Sequence, residues 1–158
     1  MAIQIDHLAD YPQYIETLAP WIHDYWQPLL RDETIDARIK KLRNHMSHTS
    51  LPIALVAHDG TQVYGTAALR VHDLPGREDL SPWLGGVFVG QTYRRQGIGS
   101  KLCHAVEQKA AELFGNSNLY LFTLDQQSWY QGLGWSFHET CDWMGHEGDI
   151  MTKQIVGE

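Results

Sequence analysis

The residues with the clearest capacity for chemistry lie in one stretch: Val87-Phe88-Val89-Gly90-Gln91-Thr92-Tyr93-Arg94-Arg95-Gln96-Gly97-Ile98-Gly99-Ser100-Lys101-Leu102. An apolar strand runs through a short loop straight into a helical pattern. The first N–H groups of such a helix have no partners within it, and its dipole puts partial positive charge at the loop. Gly97 and Gly99 allow the backbone to come close to a ligand. Arg94 and Arg95 add two of the chain's 12 basic charges. Together these features read as a cradle for a phosphate or diphosphate, set against the plainer reading of a helix start with solvated arginines. A Walker A loop, GxxxxGK(S/T), is absent. A dinucleotide fingerprint needs a third Gly or Ala, where Leu102 stands. It also needs an acidic residue about 20 positions on at a strand end, and Glu112, near that spacing, falls inside the helical pattern.

The elements around this stretch follow from periodicity. Ile3–His7 alternates as a short strand. Tyr14, Ile15, Leu18, Trp21, Ile22 and Tyr25 have helical spacing, with Pro20 set to kink the helix or open a new first turn. Arg31-Asp32-Glu33-Thr34 starts a second helix with a stripe of Ile35, Ile39, Leu42 and Met46, and Asp36 stands four residues before Lys40. Leu51–His58 and Gln62–Val71 flank the Asp59-Gly60 turn as a hairpin. Trp83–Val89 is a buried strand, and Gly97–Phe114 is the longest helix, closed by Gly115-Asn116. Leu119–Thr123 is the next strand, and Trp83 to Thr123 should form a locally parallel, right-handed crossover. Asp125–Leu133 is a short helix with a capping box at Thr123 and Gln126. Trp135–Cys141 and Asp149–Ile155 are the last strands. The order is β-α-α-β-β-β-α-β-α-β-β, an α/β (α+β) pattern.

Composition sets the frame. The chain has 158 residues, enough for one domain, with 43% apolar residues. Twelve basic against 19 acidic residues give −7, which disfavours nucleic acid and mildly favours a cationic partner. No run of about 18 apolar residues suggests a membrane span, and the N-terminus does not read as a signal peptide. Two cysteines, Cys103 and Cys141, form no disulfide framework. A cytoplasmic location is the default.

Arg94-x-x-Gly97-x-Gly99 resembles the acyl-CoA motif (Gln/Arg-x-x-Gly-x-Gly/Ala) of the GNAT superfamily of N-acetyltransferases. Its context of a strand ending at Val89, Tyr93 before Arg94 and Leu102 in the helix is similar. Trp129-Tyr130-Gln131-Gly132-Leu133-Gly134-Trp135 also looks like the family's aromatic-Tyr-x-x-x-Gly-aromatic segment. The resemblance implies a single domain over residues 1–158. Its mixed sheet would have six to seven strands, with about four helices on both faces and a splayed parallel strand pair.

The same resemblance implies acetyl-CoA as cosubstrate. Its diphosphate would lie on the loop from Arg94 and Arg95 through Gln96, Gly97, Ile98 and Gly99 to Ser100. Its pantetheine arm would run along the backbone of Val87, Phe88 and Val89. A primary amine of a small or peptide acceptor would attack the thioester directly, with no acyl-enzyme. Tyr130 corresponds to the family's general acid, and the Val89 N–H is a candidate for the oxyanion. Some members carry a Glu near the start of the motif strand; here that region reads Trp83-Leu84-Gly85-Gly86. His72, Asp73, Glu78 and Asp79 lie just upstream, with Asp79 the candidate base or acceptor contact, beside a base acting through water. A frequent family Asn is Thr123 here.

Trp21, Tyr25 and Trp26 could hold a cation or form a core stripe, while Trp83, Trp129 and Trp135 read mainly as core. His45 and His48 form an HxxH pair without a third ligand nearby, so no metal is expected. The expected partner is a cationic amine, with no nucleic acid and no membrane, and a homodimer is admissible. The alternative is an acyl-CoA-binding sensor or regulatory module without turnover.

Overall fold

In the computed structural model, which describes residues 2–157, the chain folds into β1 (Gln4–His7), α1 (Ile15–Trp26), α2 (Ile35–Arg43), β2 (Ile53–His58), β3 (Val63–Arg70), β4 (Trp83–Val89), α3 (Ile98–Phe114), β5 (Ser117–Thr123), α4 (Gln127–Gly132), β6 (Ser136–Trp143) and β7 (His146–Ile155). Short 3-10 turns occupy Leu8–Asp10, Pro12–Tyr14 and Gln91–Tyr93. The element order is the one periodicity predicts. The strands form a seven-stranded mixed sheet in the order β1-β2-β3-β4-β5-β7-β6, with β4 and β5 parallel. This is the fold class that the resemblance implies. Among the described residues no helix is long and apolar enough to cross a membrane.

Two compact units make up the chain. The first comprises Met1–Ala68 with Gly86–Ala105, the second Leu69–Gly85 with Val106–Glu158.

In the first unit, β1 runs antiparallel to β2, from Gln4 opposite His58 to His7 opposite Leu55. A core of Leu8, Tyr14, Ile15, Leu18, Ile22, Leu42 and Val56 packs against Trp21, Trp26 and Phe88. Helix α1 runs unbroken with Pro20 inside it, so Pro20 opens no new helix; the buried Leu18, Ala19 and Ile22 hold the turns on either side. Thr34 caps α2 by accepting the Ala37 N–H at 3.0 Å. The α2 stripe differs from its expected form. Ile35 is 40% exposed while Arg38 is buried, because Glu33 binds its guanidinium through two bonds of 2.8 and 3.0 Å. His58 is fully buried on β2. The Gly60 N–H donates to its Nδ1, so the ring proton sits on Nε2 and donates to Asp6 at 2.7 Å.

In the second unit, β7 pairs antiparallel with β5, from Ser117 opposite Ile155 to Thr123 opposite Asp149, and with β6 on its other side. Leu74, Trp83 and Ile150 form a core cluster with Tyr120, Phe122 and Trp143 packed against it. The last two strands are longer than their apolar pattern suggests. They meet in a two-residue turn between the paired Trp143 and His146. Met144 and Gly145 both have positive φ, 51° and 81°, as a type I′ hairpin requires.

A left-handed conformation costs an ordinary L-residue about 1–2 kcal/mol, and Met144 is 60% exposed, with little packing to offset that. Met144→Asn, which installs the preferred Asn-Gly turn, is expected to stabilise the fold by about 0.5–1 kcal/mol. A higher urea midpoint at unchanged m would show this.

Candidate active site

In the first unit the chain passes from β4 through the 3-10 turn at Gln91–Tyr93 and an exposed loop into α3. Gly86, within β4, has a φ of 59°. A left-handed residue inside a strand breaks the regular pleat and re-aims the rest of the strand. The next three residues, Val87, Phe88 and Val89, are half-buried.

The turn is held from three sides. The Gly90 N–H donates to the Tyr64 carbonyl at 2.9 Å. The Tyr93 ring packs edge-on to Tyr64 at 4.6 Å and tilted against Trp21 at 6.2 Å, and its hydroxyl bonds the Gln62 side-chain amide. Tyr64 is itself fixed by donating its hydroxyl to Asp59 at 2.6 Å. That bond, with the Thr61 and Gln62 N–H groups, holds the Asp59 carboxyl far below the usual range. The same bond and burial push the Tyr64 phenol up to about 12.

Arg94 folds back: its Nε donates to the Val89 carbonyl at 2.9 Å, and its guanidinium lies 5.8 Å from the Tyr25 ring and 5.5 Å from the Phe88 ring. Arg94 therefore ties the loop to the end of β4 as well as carrying charge. Arg95 and Gly97 come next, with φ values of 66° and 79°. Left-handed residues on both sides of Gln96 curl the chain into the concave arrangement in which successive N–H groups gather round an anion. The first helical bond of α3 runs from the Lys101 N–H to the Gly97 carbonyl. The N–H groups of Ile98, Gly99 and Ser100 precede it and belong to the unpaired first turn. The Ile98 side chain is buried and faces away from solvent, whereas Arg94, Arg95, Gln96 and Gly97 are exposed. The residues expected to cradle a diphosphate thus form one continuous surface feature. The left-handed Arg95, a non-glycine residue in a costly conformation, and the left-handed Gly86 were not evident from the sequence.

In the second unit Tyr130 is buried on α4, its ring edge-on to Trp129 at 4.8 Å and to Trp135 at 6.3 Å. The Trp135 and Leu133 N–H groups both donate to its carbonyl. Helix α4 is shorter than predicted and begins at Gln127. Half of the expected capping box forms, with the Gln126 N–H donating to Thr123 Oγ1 at 3.0 Å. Trp83 and Trp135 are core; Trp129 is 38% exposed.

The upstream carboxylates separate into two settings. Asp79 takes two bonds from Arg77, at 3.0 and 3.1 Å, and the same guanidinium reaches Glu139 at 2.7 Å. The Arg77 bonds lower the Asp79 carboxyl below its ordinary value, which makes it a poor proton acceptor and a durable negative charge. Asp73 accepts from Arg70 at 2.5 Å. A Cβ at Gly85 would lie 2.6 Å from its Oδ1, so the Asp73 carboxylate fills the space a side chain on β4 would take. Of the aromatic trio in α1, Trp21 and Trp26 pack on the core, and Tyr25 is half-exposed beside Phe88.

Comparison with known proteins adds to this geometry. The model of the acetyltransferase (GNAT) family matches residues 15–135. The spermine/spermidine N(1)-acetyltransferase of Bacillus subtilis is 29% identical over 77 residues, 46% of this chain; the match spans only 49% of that protein's length. An aminoglycoside 6'-N-acetyltransferase solved with coenzyme A superposes with a TM-score of 0.76 at 17% identity, covering 100% of this chain and 99% of that one. The aminoglycoside 6'-N-acetyltransferase of Enterococcus faecium gives 0.73 at 19% identity, with coverage of 100% and 99%. A Salmonella typhimurium protein solved with acetyl-CoA as its cofactor gives 0.73 at 14% identity, with coverage of 98% and 95%.

The Tyr64 bond that braces the turn has a pH signature. Below pH 10 the phenol is protonated in folded and unfolded chains alike, and its stabilisation is complete. Between 10 and about 12 the unfolded chain loses the proton first, so this stabilisation drains away as pH rises. The advantage of the wild type over Tyr64→Phe in urea unfolding is expected to hold at pH 9 and to shrink progressively above pH 10.

Proposed function

The chain belongs to the acetyltransferase (GNAT) family, and on that premise we propose that it moves an acetyl group from acetyl-CoA directly to the primary amine of a small, cationic or peptide acceptor. The observation that carries this reading is the loop Arg94–Ser100, where left-handed Arg95 and Gly97 gather N–H groups at the head of α3. The fit to a diphosphate is chemical: N–H donors, the positive helix end and two guanidinium groups, with nothing acidic between Val87 and Lys101. The half-buried backbone of Val87–Val89 supplies the pairing surface for a neutral amide-bearing arm.

On this reading the neutral amine attacks the thioester carbonyl, and the carbon becomes tetrahedral. The Val89 N–H supports the developing oxyanion. Collapse breaks the C–S bond, Tyr130 delivers a proton to the departing sulfur, and the new N–C bond becomes an amide once nitrogen sheds its extra proton. Asp73, whose carboxylate lies against β4 at Gly85, receives that proton through water. Asp79, clamped by Arg77, holds negative charge for the acceptor and takes no part in proton transfer. A cationic acceptor is supported by the net charge of −7, by the relative named for spermine and spermidine, and by the neighbours named for aminoglycosides. Neither Cys103 nor Cys141 is in a disulfide, which suits a reducing, cytoplasmic setting.

Thiol release from acetyl-CoA with a panel of polyamines, aminoglycosides and peptide amines tests the reading. Turnover with at least one amine is expected; binding of acetyl-CoA without turnover of any amine would favour a sensor module instead. With the active amine, Tyr130→Phe is expected to lower kcat by about 10²–10⁴-fold while leaving the acetyl-CoA KM in place, and full kcat at every pH would remove Tyr130 from the acid role. Asp79→Asn is expected to raise the acceptor KM and spare that of acetyl-CoA. An unchanged acceptor KM would show that Asp79 does not meet the amine.

A further inference from the structure

The HxxH spacing of His45 and His48 does not bring those two rings to a common ligand. His45 is buried, with Nδ1 2.7 Å from the Lys41 carbonyl oxygen. His48 turns instead toward the start of the chain. Its Nε2 lies 2.8 Å from Asp10 Oδ1, and its ring centroid is 4.5 Å from that of His7, tilted by 52°. One ligand atom from each of His7, Asp10 and His48 lies within 4.8 Å of the others. The three residues come from the end of β1, from the 3-10 turn just after it and from the segment between α2 and β2.

We propose that His7, Asp10 and His48 form a binding site for one divalent transition-metal ion of the Zn²⁺ class. Two imidazole nitrogens and one carboxylate oxygen are the donor set such borderline ions prefer, whereas Mg²⁺ and Ca²⁺ take oxygen ligands. Tetrahedral zinc, with bonds of about 2.0–2.2 Å, places its donors about 3.3 Å apart. No pair therefore needs to close by more than about 1.5 Å, and the His48–Asp10 pair, at 2.8 Å, opens slightly. The side chains of His48 and Asp10 are 51% and 52% exposed and can make that adjustment, while His7 is half-buried on β1 and fixes the site. The carboxylate offsets half the ionic charge, and water completes the coordination. A bound ion would clip the segment before β2 onto β1, the edge strand of the sheet. The site uses none of the residues assigned to acetyl transfer, so the two readings stand or fall separately.

The test uses the metal-free full-length protein titrated with Zn²⁺ by calorimetry and melting, and with Co²⁺ by visible absorption. The expected result is one saturable equivalent per chain, a rise in Tm on binding and new cobalt absorption bands. Asp10→Asn and His48→Gln, both at exposed positions, are each expected to weaken binding by roughly tenfold or more and to abolish the Tm rise. His104→Gln, at an exposed position on α3, should change neither. Absence of saturable binding below millimolar Zn²⁺, or binding that survives both Asp10→Asn and His48→Gln, would overturn the proposal.

Discussion

A helix must begin with N–H groups that nothing inside it can satisfy, and the first unit is organised around where α3 begins. The 17-residue helix starts directly after a strand, across a loop short enough to need left-handed backbone at both Arg95 and Gly97. That backbone turns the chain and aims its donors outward. It is stable only if the segment before it cannot move. Three contacts restrain that segment: the Gly90 bond to the Tyr64 carbonyl, the packing of Tyr93 between Tyr64 and Trp21, and the Arg94 bond to Val89. A ligand offering phosphate oxygens meets a prepared surface and need not order the loop itself.

The second unit handles charge differently. Its conspicuous carboxylates are paired: Asp79 and Glu139 with Arg77, Asp73 with Arg70, and Glu107 with Lys153. For Asp79 the Arg77 bonds hold the carboxyl below its ordinary value, which suits attraction of an ammonium group better than removal of its proton. Tyr130 is held between two tryptophans, which orients a phenol through ring packing without adding a charge beside it. The chain carries −7 overall, yet its loop at Arg94–Ser100 holds two exposed arginines and no acid.

Much of this was legible in the residue pattern, for identifiable reasons. Strand β4 has the predicted bounds because its unbroken apolar run is bracketed by Pro82 and Gly90. The β6–β7 hairpin was read too short because β6 is largely exposed and carries little apolar alternation; its turn depends on Met144 accepting a positive φ, which no propensity signals. Arg38 is buried because Glu33, five residues away, comes with it, a pairing that an apolar stripe cannot show. The clamp on Asp79 involves Glu139, which is 62 positions from Arg77. The histidines make the same point. Sequence spacing groups His48 with His45, whereas the fold groups it with His7 and Asp10, about 40 residues earlier in the chain.

The central claim is that the loop at the head of α3 holds the diphosphate of acetyl-CoA. It is tested most directly by comparing the affinities of acetyl-CoA and S-acetylpantetheine, which keeps the thioester arm and lacks the diphosphate. Calorimetry on the wild type and on Gly97→Ala is the measurement. The account predicts that acetyl-CoA binds the wild type roughly a hundredfold or more tighter than the fragment, and that Gly97→Ala, strained at a φ of 79°, erases most of that difference. Equal affinity of the wild type for the two compounds would contradict it.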